Sequence, residues 1–175
     1  RATSQQQASF VIASTAYAWF RGADVVFFHQ LYDDCGDSPG NFIPHNGELC
    51  RSNQLCAGDA FGLYRNLSDS FCYSHHPYPG TPRPAAGAFH VLAEVFGAAP
   101  FEPDGLQADG YATYISFLRP DSNERILVLW NRQLSAAQVE FASWGDSGTL
   151  YTVDGRRSLI VPAAGLYSLN LAPAQ

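Results

Sequence analysis

The sequence predicts an α/β part followed by an all-β part, and three observations carry that expectation. Apolar residues recur at helical spacing near the start and then run together as Val25-Val26-Phe27-Phe28. All four cysteines fall in one segment rich in Gly, Asn, Asp and Ser. Beyond residue 100 the apolar period changes to two, the period of strands. The boundary is placed between residues 1–100 and 101–175.

In TSQQQASFVIASTAYAWFRG, Phe10, Ala13, Tyr17 and Phe20 mark a helical stripe that Ile12, Ala16 and Trp19 widen. Thr3 with Gln6, and Ser4 with Gln7, fit capping boxes, and Gly22 stands where a helix stops in the left-handed conformation. The continuous β-branched and aromatic run 25–28 reads as a strand buried on both faces. From Cys35 to Pro82 periodicity is lost except at Phe61-Gly62-Leu63-Tyr64, and a loop of that length in a compact protein is functional or cross-linked. A second helix is expected over PAAGAFHVLAEVFG. Pro84 suits its first turn, Phe89, Leu92, Ala93 and Phe96 form its apolar face, and Gly97 stands at its end. Gly87 weakens that helix unless something packs closely there. Six runs then alternate with turn signals: YATYISFL, RILVLWN, AQVEF, TLYTV, SLIV and GLYSLNL, the pattern of a small antiparallel sandwich.

Composition narrows the function classes. With 46% hydrophobic and 15% charged residues the chain is expected to pack as a globular protein. A formal net charge of -6, with no basic run longer than Arg156-Arg157, leaves no field for a nucleic-acid partner. No stretch approaches the roughly 20 apolar residues of a membrane-spanning helix. The chain contains no Met, so a segment preceding Arg1 is expected. Cys35, Cys50, Cys56 and Cys72 read as disulfides of an oxidising compartment, with three pairings open and the nested pair Cys50-Cys56 inside Cys35-Cys72 favoured. A zinc site is the rival, given His29, His45, His75 and His76 nearby. The cysteine spacings match no common structural zinc pattern, so no metal and no cofactor are expected. Asn66-Leu67-Ser68 is a glycosylation sequon that matters in a eukaryotic source.

The order of elements, with VVFFHQLYDD, the FGLYRN turn, TPRPAAGAFHVLAEVF, RILVLWN and GLYSLNL, resembles the C-terminal end of (β/α)8-barrel glycoside hydrolases of the β-xylosidase-like and α-iduronidase-like kind. The resemblance covers essentially the whole chain and rests on that order more than on the short G-L-x-R and R-P-A motifs. It implies the last β/α units of a TIM barrel, a loop over 35–82 stapled near the cleft, and an accessory β-sandwich. It further implies a secreted protein acting on O-glycosidic bonds, with both catalytic carboxylates on an upstream segment and this chain inactive alone. The missing barrel segment and a carbohydrate are then the expected partners. The alternative is a non-catalytic structural or carbohydrate-binding cell-surface component.

Strand ends of such barrels meet substrate, so the resemblance makes His29, Gln30, Tyr32, Asp33 and Asp34 candidates for sugar contact, opposed by the plainer reading of satisfied core polars and a loop cap. Neighbouring residues on extended chain point to opposite sides, so Asp33 and Asp34 do not form a catalytic pair with each other. Asn123-Glu124 mimics an acid/base dipeptide but lies in a turn, Glu94 is expected mid-helix, and Glu48 has no strand behind it. Trp19, Trp130 and Trp144 are candidates for sugar stacking; Trp19 and Trp130 fit a core, and Trp144, in SWGDSG, has room for exposure, although the resemblance implies a terminal sandwich that braces the barrel and has no catalytic role. No G-x-S-x-G elbow, phosphate-cradling loop or H-E-x-x-H motif is present.

Overall fold

A computed structural model describes residues 4–29, 31–32, 62–65, 80–97, 99–108 and 112–173. The chain divides into two compact units, Phe27–Ala86, and Ala2–Val26 together with Gly87–Gln175. Among the described residues there are two helices, α1 (Ser4–Phe20) and α2 (Pro84–Phe96). Seven strands follow: β1 (Glu102–Ala108), β2 (Ala112–Arg119), β3 (Glu124–Asn131), β4 (Ala137–Ala142), β5 (Gly148–Tyr151), β6 (Arg157–Ile160) and β7 (Leu166–Leu171).

These elements overturn the expectation of TIM-barrel β/α units. The described strands form three small sheets, β1-β2-β3, β4-β7 and β5-β6, and every pair in them is antiparallel. The run Val25-Val26-Phe27-Phe28 is not a strand. Parallel strands are stabilised by ladders on their edges and by helices over both faces. Here the run has no described sheet partner, and Val25 and Phe27 are 62% and 90% exposed. The single parallel pairing among the described residues is the isolated bridge between Tyr32 and Tyr64.

Helix α1 ends as its sequence dictates. Gly22 adopts φ of 87°, Ala23 N–H donates to Ala18 O at 3.0 Å, and Gly22 N–H to Trp19 O at 3.0 Å, the pair of bonds that closes a helix through a left-handed glycine. Its buried face differs from the expected stripe. Ala8, Val11, Thr15 and Ala16 are buried, while Phe10 and Tyr17 are exposed. The helix packs on the sheet β1-β2-β3. Small residues let it approach that sheet closely, whereas the larger side chains that define the stripe by eye lie on the other side. Thr15 is accommodated because its hydroxyl donates to Val11 O at 2.6 Å, leaving no unsatisfied buried polar group.

The same correction applies to α2, whose buried residues are Ala85, Ala88, Val91, Leu92 and Phe96, with Phe89 and Ala93 exposed. Gly87 lies against backbone: a Cβ built there would stand 3.7 Å from the carbonyls of Val153 and Asp154, in the turn between β5 and β6. The core of this unit is a ring cluster. Phe96 stands edge-on to Phe101 at 4.8 Å and to Phe117 at 5.2 Å, and Trp19 reaches Phe96 at 4.9 Å and Phe101 at 5.3 Å. Phe117 is fully buried.

The six expected strand runs coincide with β2 to β7, but β1 is additional. Pro103 and Gly105 within Glu-Pro-Asp-Gly are breaker signals, and the strand accommodates them with a register irregularity between those two residues. Arg119 closes the β2–β3 end: Nη1 donates to Glu124 Oε2 at 2.9 Å, and the guanidinium also donates to Val95 O on α2. At the other end of β3, buried Asn131 donates to Ser135 O at 2.7 Å and Ala172 O at 2.9 Å and accepts from Gln133 N–H at 2.8 Å. One amide thereby ties the end of β3 to the chain entering β4 and the chain leaving β7.

Candidate functional site

In the unit Phe27–Ala86, three short segments meet at Tyr64. Tyr64 N–H donates to Leu31 O at 2.9 Å, Arg65 N–H to Thr81 O at 2.9 Å, and Arg83 N–H to Leu63 O at 2.8 Å. Tyr64 thus bridges Tyr32 on one side, parallel, and Pro82 on the other, antiparallel. Gly62 and Leu63 are buried, which anchors the segment that carries Tyr64 and Arg65. The rings of Tyr32 and Tyr64 lie 5.7 Å apart at 47°. Arg65 is oriented from behind, Nη1 donating to Thr81 Oγ1 at 2.9 Å and to Pro82 O at 3.4 Å.

Of the residues read as sugar contacts, Tyr32 is 38% exposed and held in this arrangement, and His29 is exposed. Gln30, Asp33 and Asp34 lie outside the described residues, as do Cys35, Cys50, Cys56, Cys72, Asn66, Glu48, His45, His75 and His76. Tyr64 and Arg65 are site residues that only the fold reveals; in the sequence their signal is the isolated apolar piece Phe61-Gly62-Leu63-Tyr64 inside a polar stretch. The motif marked an order of elements; its position beside Tyr32 needs the fold.

The described carboxylates that form ion pairs bind structural elements together. Glu94 accepts from Arg157 Nη1 at 3.0 Å and from the Tyr151 hydroxyl at 3.3 Å, with His90 Nε2 3.9 Å away. Glu124, in the Asn-Glu dipeptide, pairs with Arg119 at the end of a hairpin. Asp104 accepts from Ser116 Oγ at 3.1 Å and pairs with Arg125. Asp154 accepts from the Thr152 hydroxyl and from Arg156 Nε at 2.9 Å. The Thr152 bond first, with the Arg156 charge and hydrogen bonds, holds its carboxyl below the usual value of 3.8 against an opposing desolvation. Among the described residues no group of three or more His, Cys, Asp or Glu is arranged to hold a metal ion. No helix there is long and apolar enough to cross a membrane.

The tryptophans divide by environment. Trp19 belongs to the ring cluster and Trp130 is half-buried on β3. Trp144, between β4 and β5, is 49% exposed, with the Arg125 guanidinium 5.2 Å from its ring centroid and Phe141 stacked at 6.2 Å. No family, curated protein or solved structure matches this chain.

Proposed function

We propose that this chain is a non-catalytic, carbohydrate-contacting part of a glycoside-hydrolase-like, secreted protein. The observation that supports the reading is the Tyr32–Tyr64 pair. It is an aromatic surface, partly open to solvent and fixed by backbone bonds on both sides of Tyr64. A ring already held in place stacks on a sugar with little further loss of side-chain entropy. Arg65, the next residue of the same extended segment, has its guanidinium bonded to Thr81 and Pro82 through Nη1, so the contact surface offered is the aromatic pair itself. Against a catalytic role by four of the described carboxylates stands the use the fold makes of them. Glycoside hydrolysis needs two carboxyls about 5–10 Å apart across a cleft, whereas Glu94, Asp104, Glu124 and Asp154 are each engaged by a cation within their own surroundings.

The test uses the 175-residue chain with xylohexaose, cellohexaose and mannohexaose, and 4-nitrophenyl glycosides as hydrolysis probes. The expected result is weak binding of one hexaose that Tyr32→Ala reduces about three- to tenfold, with no released nitrophenol. Absence of binding to all three up to about 10 mM would overturn the contact role. Turnover of any glycoside by the pure chain would overturn the non-catalytic assignment.

A further inference from the structure

Trp144 is held firmly and yet left half open. Ser143 N–H, the preceding residue, donates to Gly165 O at 2.9 Å, which fixes the start of the turn. Phe141 lies near-parallel to the indole, at 29°, with centroids 6.2 Å apart. At that separation two nearly parallel rings in van der Waals contact are laterally offset, so Phe141 supports only one margin of the indole. Arg125 stands over the ring at 5.2 Å, and Asp104, which also accepts from the buried Ser116 hydroxyl, holds that guanidinium. The Arg125 and Asp104 side chains remain 30% and 26% exposed. An indole edge rising from a fixed turn is thus bordered by donors and acceptors that are themselves fixed and still meet solvent.

We propose that Trp144, Arg125 and Asp104 form a second saccharide-contact site, on the β-strand unit. The chemistry selects the ligand class. A polyhydroxylated ring offers C–H faces to indole, acceptors to a guanidinium and donors to a carboxylate within one residue's width. A simple anion is disfavoured because Asp104 already neutralises Arg125, and a purely apolar ligand leaves that pair desolvated without a partner. The inference rests on the carbohydrate-contact reading above but on different residues.

The experiment follows the three indole N–H resonances of the full chain by NMR during titration with the same three hexaoses, the Trp144 signal being identified by its loss in Trp144→Phe. The expected result is a saturable shift of the Trp144 signal with one hexaose, weakened about three- to tenfold by Arg125→Gln and unchanged in Tyr32→Ala. The Trp19 signal, from the buried ring cluster, reports in every variant that the fold is intact. A Trp144 signal that none of the hexaoses moves, with the fold intact, overturns the second site. Loss of the Trp144 response in Tyr32→Ala also overturns it as an independent site. Tyr32-dependent binding without a Trp144 response sinks this inference and leaves the first reading standing.

Discussion

Ala164 carries a local cost. It adopts φ of 50° and Gly165 adopts 77°, while Ala163 and Leu166 exchange backbone bonds at 2.9 and 3.0 Å, the geometry of a tight turn with two left-handed residues. Gly165 adopts that conformation freely, but an alanine does so at a cost of about 1 kcal/mol. Ala164→Asn installs the Asn-Gly pair such turns prefer and is expected to raise stability by about 0.5–1 kcal/mol in urea unfolding, with no change in the slope. Asp154 illustrates a different residue-scale effect. Its folded-state pKa lies below its unfolded value, so its contribution is present above the ordinary carboxylate pKa and is lost as pH falls through the lowered folded value. Asp154→Asn lacks that dependence. The stability difference between wild type and Asp154→Asn, measured by urea from pH 6 down to about pH 2, is expected to shrink as the pH drops below about 4.

At the scale of elements, α2 carries a helix-propensity cost at Gly87 that its packing does not require. Gly87 faces the backbone of the β5–β6 turn at a distance that a methyl group fills in ordinary contact. Gly87→Ala is expected to stabilise by about 0.5–1 kcal/mol through helix propensity, and Gly87→Leu to destabilise because it must displace that backbone. Thermal melts of the two variants are expected to shift in opposite directions, and a Gly87→Leu midpoint at or above wild type would contradict the close approach. Most element positions were legible in the sequence: the Gly22 stop, Pro84 at the start of α2, and runs coincident with β2 to β7 all follow from local chemistry. The buried faces of the helices were not. Phe10, Tyr17 and Phe89 satisfy helical periodicity as well as Ala8, Thr15 and Ala88 do, and only the sheet behind α1 decides that the small residues turn inward there. Strand β1 was hidden because Pro103 and Gly105 are breakers that an edge strand absorbs at an irregular register. The apolar run at 25–28 departs from its strand expectation for a related reason: strand propensity describes fitness for a pleated, half-buried surface, and among the described residues the run joins no sheet. Of the candidate site, Tyr32 was legible as an aromatic after an oily run, whereas its apposition to Tyr64 and the Asp104–Arg125–Trp144 chain join residues far apart in sequence.

For the molecule as a whole, the ring cluster sets the stability of the unit formed by Ala2–Val26 and Gly87–Gln175. Phe117 is fully buried between Phe96 and Phe101, so Phe117→Ala removes a transfer contribution and leaves a cavity, with an expected loss of about 3–5 kcal/mol in chemical unfolding. A loss under about 1 kcal/mol would show that the cluster is not the centre of that core.

That cluster also orders events in time. Trp19 is separated along the chain from its ring partners Phe96 and Phe101 by the whole of residues 27–86. During synthesis, helix α1 emerges well before any of the rings it will touch. It can hold its helical turns only marginally until the chain beyond residue 101 has been made, because isolated helices of its length gain most of their stability from packing. Bridging so distant a pair slows the search for the native arrangement more than it weakens the result. Indole emission from Trp19, read in a variant with Trp130→Phe and Trp144→Phe, therefore reports when the two ends of an interrupted unit have found each other.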